Sequence, residues 1–152
     1  MKLPLIIQET SKTSQIQEIV TLNEKTRAYG LTLSSHEAMQ LIEVRNQLLK
    51  GHGRIEMGTE TMKKLIDSFY MSPFIQQDDY MLTLMELQEV FYYMKNETED
   101  QISDDELIEV IKDFFENYCR GSVELLQGRE IETFARNQRI QYQSDEFYRG
   151  GK

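Results

Sequence analysis

SDDELIEVIKDFFENYCRGSVELLQ, residues 103–127, is the stretch on which the fold turns. Ser103 and Glu106 have capping-box spacing, and Asp104 and Asp105 add negative charge in the first turn, where a helix dipole favours it. Behind them Leu107, Ile108, Ile111, Phe114, Phe115, Tyr118, Cys119, Ser122, Leu125 and Leu126 recur at three- and four-residue steps. Such recurrence marks one buried helical face. The spacing predicts a single helix over 104–127. Gly121 inside it would cost about 1 kcal/mol relative to alanine, a cost that close approach of another helix would offset. A break at Gly121 is the alternative.

The same punctuation continues outward in both directions. Upstream, Asp78-Asp79 open a helix whose inner face is Tyr80, Leu84, Leu87, Val90, Phe91 and Met94, reaching Glu97. Before it, Thr59 or Thr61 starts a helix through Met62, Leu65, Ile66 and Phe69, and Ser72-Pro73 ends it, because a residue before proline avoids helical geometry. Ser34 and Glu37 form another capping box. The stripe Ala38, Leu41, Ile42, Leu48 and Leu49 follows, stopped by Gly51-His52-Gly53. The first helix starts at Thr13 or Ser14, buries Ile16, Ile19 and Val20, and closes at Gly30, a residue suited to the left-handed position past a helix end. Downstream of Gly128, Ile131, Phe134 and Ala135 suggest a short last helix, and the polar segment 141–152 reads as a flexible tail. One stretch breaks the pattern. Arg54-Ile55-Glu56-Met57 alternates, and Leu3–Gln8 would pair with it as a short two-stranded β element. The expectation is an all-α bundle of about six helices forming one domain over 1–140.

Composition bounds the function. The chain has 152 residues, 39% hydrophobic and 28% charged, with a net charge of −9, too apolar for a disordered chain. Its apolar runs fall well short of the roughly 18 residues that span a bilayer. The run Leu5–Ile7 is too short for a signal-peptide core, and a lone Cys119 forms no internal disulfide, so the expectation is a cytoplasmic protein. Charge is segregated: residues 59–117 carry 15 acidic and 4 basic side chains, a net of −11, between flanks of +1 each. Such a field repels nucleic acid and attracts cationic partners.

Several pieces resemble an uncharacterised family of small proteins of unknown function from Firmicutes, mostly clostridial. They are Asn23-Glu24, Tyr29-Gly30-Leu31-Thr32-Leu33, Gly53-Arg54-Ile55-Glu56-Met57-Gly58, Phe91-Tyr92-Tyr93-Met94-Lys95-Asn96-Glu97, Ile102-Ser103-Asp104-Asp105-Glu106-Leu107, and Gly121-Ser122 with Glu124-Leu125-Leu126 and Gly128-Arg129-Glu130. The resemblance covers most of 15–140. It implies no activity, cofactor or catalytic residue.

Catalytic chemistry has little support in the residues. His36 and His52 lie in a helix start and between glycines, no serine sits in a Gly-x-Ser-x-Gly elbow, and Cys119 falls on an apolar stripe where a thiol acts as a small hydrophobe. The acids Glu97, Glu99, Asp100, Asp104 and Asp105 lack the alternate spacing and central glycine of a calcium loop. Glu86 and Glu89 lack the Glu-x-x-His partners of a carboxylate metal site. No phosphate loop is present, and no cofactor is expected.

Three features remain. Arg45 and Asn23 fall on apolar stripes, and a buried guanidinium needs partners. Glu56 and Glu97 are the candidates, so Asn23, Arg45, Arg54, Glu56 and Glu97 form either a sealed polar cluster or a pocket for an anionic ligand. Glu99, Asp100, Asp104, Asp105, Glu109, Asp113 and Glu116 form a candidate acidic partner surface. Six of eight methionines lie within 57–94, filling the core or lining an adaptable groove, with Met81 and Tyr92 expected off the buried stripe. The leading expectation is a non-catalytic module that binds another, basic protein. An acidic mimic of nucleic acid on a target enzyme and a binder or enzyme using the Arg45 pocket are the alternatives. Homo-oligomerisation stays open.

Overall fold

A computed structural model describes residues 5–128, with side chains from residue 12 onward. It is all-α, and no strand occurs among the described residues. The elements are α1 (Leu5–Thr21), α2 (Asn23–Thr26), α3 (Ser35–Gly51), α4 (Glu60–Phe69), α5 (Tyr80–Glu97), α6 (Asp104–Asp113) and α7 (Val123–Leu126). Short 3-10 turns cover Arg27–Tyr29 and Gln77–Asp79, and a π-helical turn covers Phe114–Tyr118. The contacts group into two units, residues 1–85 and 86–152, and α5 runs through the boundary.

In the first unit α1 packs against α3. Ile19, Ala38, Leu41, Ile42, Met62, Leu65, Ile66 and Phe69 are buried along the predicted stripes. Ser34 caps α3 as a full capping box: Glu37 N–H donates to Ser34 Oγ at 3.0 Å, and Ser34 N–H donates to Glu37 Oε1 at 2.9 Å. Each such cap is worth about 1 kcal/mol. α3 ends in a Schellman motif, in which Arg54 N–H donates to Leu49 O at 2.8 Å and Gly53 N–H to Lys50 O at 3.2 Å. Gly53 supplies the left-handed residue at φ +66. Gly30 does the same after the 3-10 turn, with Leu31 N–H on Thr26 O and Gly30 N–H on Arg27 O. The loop that follows is laced by amide side chains. Asn23 bonds Leu33 N–H and C=O, at 2.9 and 2.8 Å, and Gln77 bonds Thr32 N–H and C=O, at 2.8 and 3.0 Å.

In the second unit the later turns of α5 bury Leu87, Val90, Phe91, Tyr92 and Met94, and α6 buries Leu107, Ile108 and Ile111. α5 ends as α3 does, with Asp100 N–H on Lys95 O and Glu99 N–H on Asn96 O, both 3.0 Å. Here the left-handed residue is Glu99, at φ +54, with Asp100 beside it at φ +59. Lys95 secures the turn from α5, donating to Ile102 O at 2.8 Å and pairing with Asp104. Ser103 caps α6 through Glu106 N–H.

Four expectations need correction. The β element is absent: residues 5–8 are helical, and 54–57 is an irregular loop. The first helix begins at Leu5, well before Thr13. The helix over 104–127 is not continuous: α6 gives way at Phe114 to the π turn, Arg120 and Gly121 are left-handed at φ +48 and +84, and Ser122 caps a separate α7 through Leu125 N–H. That break carries Leu125 out to the surface, where it is 61% exposed. Tyr92, expected off the stripe, is fully buried and edge-on to Phe91, with ring centroids 5.1 Å apart. The helix expected at Ile131–Ala135 and the tail 141–152 lie outside the described residues.

The helix ends give a paired prediction. Gly53→Ala meets no atom within 4 Å, so its cost is the left-handed backbone alone, about 1–2 kcal/mol. Glu99→Gly removes the same penalty from a residue with a Cβ and should stabilise by up to about 1 kcal/mol, net of unfolded-chain entropy. Urea unfolding of the two variants should move the midpoint in opposite directions.

Candidate functional site

Arg45 projects from the core stripe of α3 and is 2% exposed. Its guanidinium reaches the backbone carbonyl of Gly58 through Nη1, and Asn46 Oδ1 through Nε at 3.2 Å and Nη2 at 3.0 Å. Neutral oxygens thus meet the buried charge on these bonds. Glu56, a partner expected from the sequence, accepts from Thr61 Oγ1 at 3.1 Å, and Glu97 ends α5 in the second unit. Asn23 serves the 30–33 loop described above. Arg54 closes the α3 terminus through its backbone, its side chain half-buried. The structure therefore uses Arg45 to fasten the loop between α3 and α4 at Gly58, while Gly53 fixes the other end. Between these anchors Ile55 and Met57 stand 88% and 89% exposed, with Arg54 and Glu56 half-buried between them.

Thr26 and Tyr80 form a second buried polar pair. Tyr80 opens α5 with its ring in the core and hydrogen-bonds Thr26, whose hydroxyl also donates to Leu31 O at 2.8 Å. Burial pushes the Tyr80 phenol up to about 12, a rise that the Thr26 bond opposes. Lys63 is also raised, first by its hydrogen bond to Glu60. An open groove of about 560 Å³ is lined by residues of α1 with Lys63 of α4, among them Ser14, Glu18 and Thr21.

The acidic residues divide by position. Asp105, Glu109 and Asp113 are all exposed and fall at four-residue steps, so they line one face of α6. Asp104 is taken up by Lys95, Glu99 and Asp100 occupy the left-handed turn before α6, and Glu116 sits half-buried in the π turn. Asp113 accepts from Asn117 Nδ2. Among the described residues no group of three or more His, Cys, Asp or Glu could hold a metal ion. No helix among them is long and apolar enough to cross a membrane. The methionines split, with Met62 and Met94 buried and Met57 and Met71 exposed. Sequence reading missed Tyr118, which helical periodicity places inside and the structure places outside, 64% exposed and tilted against Phe114.

A family model described as "Family of unknown function (DUF6323)" matches residues 18–144. No curated protein and no solved structure matches the chain.

Two predictions follow from the buried polar groups. Removing Arg45 leaves Gly58 O unanswered and a hole in the α3 stripe, so Arg45→Ala should cost about 3 kcal/mol. Limited proteolysis should then cut within 53–58 faster than in the native chain. Tyr80 has a folded-state value above its unfolded one, so its contribution is complete below about pH 10 and is lost as pH rises toward 12. The loss amounts to roughly 2–3 kcal/mol. Unfolding followed from pH 8 to 12 should show the steeper decline in the native chain than in Tyr80→Phe. Lys63, whose value is also raised, is present in both proteins and cancels in the difference.

Proposed function

The chain belongs to a family of unknown function (DUF6323), which lends it no activity, and we propose that it is a non-catalytic cytoplasmic module that binds a basic protein through the outer face of α6. The observation that carries this reading is the placing of Glu109 and Asp113. Acids in the first turn of a helix are explained by its dipole, which accounts for Asp104, Asp105 and Glu106. Glu109 and Asp113 lie beyond that turn, each one step from a like charge, and Asp113 lies toward the carbonyl end. Pairs of like charge at this spacing each weaken a helix by about 0.2–0.5 kcal/mol, and Lys112 is the sole basic residue on α6. The dipole accounts for Asp105 and Asp113 accepts from Asn117, yet the like charges at four-residue steps oppose the helix, and a partner would use the exposed row for steering and registry.

The other readings have weaker support. An imitation of nucleic acid would need more of the seven acids on one ridge than the row of three, which extends about 12 Å at the rise of an α-helix. An anionic ligand would have to reach an arginine that is 2% exposed and bonded to Gly58 and Asn46.

The test separates stability from binding. Glu109→Gln with Asp113→Asn should raise stability by about 0.5 kcal/mol, since Asn retains the acceptor that Asn117 uses. The same double variant should lose a protein that the native chain captures from its source cell and releases at moderate salt. Equal capture by both proteins, or capture of nothing by the native chain, would reject the reading.

A further inference from the structure

We infer that the loop between α3 and α4 is a docking loop, which inserts Ile55 and Met57 into an apolar cleft of a different protein. The loop lies in the first unit and owes nothing to the acidic face of α6. Single apolar side chains on a surface are ordinary. This pair is not, because no other large apolar residue among those described is more than 64% exposed, and these two reach 88% and 89%. Exposure of that size takes in the main chain as well as the side chain. The loop is also fastened on both sides. Gly53 closes α3 behind it, and Arg45 reaches up from the core to the carbonyl of Gly58 ahead of it. Burying a guanidinium is costly, and the bond it makes here holds a surface loop. Beyond Gly58, buried Thr59 donates to Glu18, and Thr61 donates to Glu56 at 3.1 Å. Exposure alternates as in an extended chain: Arg54 and Glu56 are half-buried where Ile55 and Met57 are open. The charged side chains turn back and the apolar pair is presented.

Area and charge select what receives the pair. Ile55 and Met57 together offer on the order of 300 Å², against about 800 Å² per partner in a stable complex of flat surfaces. A two-fold contact between the loops of two copies is therefore too small, and two chains of net charge −9 repel each other. The same charge opposes an anionic bilayer. Two protruding side chains are covered fully only by a concave surface. They act there as anchors, the few residues that carry most of an interface's energy. A loop already held in its bound shape loses little freedom on docking. The receiving cleft is apolar, since neither side chain brings a charge or a hydrogen-bonding group to it.

The test puts a photo-crosslinking residue in the loop, Met57→p-benzoylphenylalanine, in the full chain within its source cell. Illumination should join position 57 to another protein. That protein is then purified and titrated calorimetrically with the native chain in about 0.5 M salt, where exposed charges are largely screened. Ile55→Ser and Met57→Ser should each weaken binding about tenfold or more, the scale of one buried aliphatic side chain. Both side chains face solvent, so the substitutions leave the core intact, and unchanged unfolding midpoints confirm it. The rival occupants are tested on the native chain alone, by sedimentation for self-association and by flotation with vesicles of phosphatidylcholine and phosphatidylglycerol. The absence of an adduct, an adduct only with a second copy, or vesicle binding that the serine variants lose would overturn the inference. So would a crosslinked protein that the serine variants bind as tightly as the native chain does. None of these results touches the reading of α6, whose own variants lie in the other unit.

Discussion

The last carbonyls of a helix have no partner within it, and much of this architecture follows from how those carbonyls are answered. Leu49, Thr26 and Lys95 each accept an N–H from five residues onward, across a left-handed residue that reverses the chain. In the first unit that residue is glycine, at Gly30 and Gly53, and the reversal comes without steric cost. After α5 it is Glu99, and the turn is held from outside: Lys95 donates to Ile102 O and pairs with Asp104. Thr98, buried beneath, donates to Met94 O at 2.8 Å. A turn that carries its own strain is thus made rigid by the side chains around it, and it delivers Ser103 to the start of α6.

Arg45 shows the same economy in the core. A guanidinium among Leu41, Ile42 and Leu49 needs its donors engaged, and a main-chain carbonyl engages them without a second buried charge. The fold gains a fixed loop from the arrangement, since Gly58 is tied to α3 at one end and Gly53 closes the helix at the other. Ile55 and Met57 are held outward by that geometry.

Much of this was legible in the sequence, and the failures have physical causes. Ser34 with Glu37, Gly30, Gly53 and Ser103 announced real helix ends because capping and left-handed turns demand those residue types. The core stripes of α3, α4 and α5 were correct because period alone decides which face is buried. Glu99 could not be found this way, since no glycine marks it. The break at Gly121 was the alternative and not the preferred reading because the apolar stripe resumes in α7 at Val123 and Leu126, and Ser122 lacks the acidic third residue that makes a cap conspicuous, while nothing in the sequence marks the π turn at Phe114. Leu5 was missed because the short apolar run Leu5–Ile7 was assigned to a strand paired with 54–57, and Ser14 with Gln17 offered a capping box further on. Of the candidate residues, Arg45 was recognised as buried. Its partner was not, because a backbone carbonyl has no letter in the sequence. Tyr118 was assigned inward by the very period that the π turn interrupts.

Adding or deleting one position inside an ordinary helix rotates everything downstream by about 100° and scrambles its packing. Between Phe114 and Tyr118 the chain already carries a surplus position, and it stops a few residues later at Arg120 and Gly121, so there is almost no downstream helix to misdirect. Loss of that surplus would restore the ordinary rise and draw an aromatic inward, with α7 still beginning at its own serine. Chain length at this point is therefore a variable that natural or laboratory evolution can adjust without dismantling its neighbours.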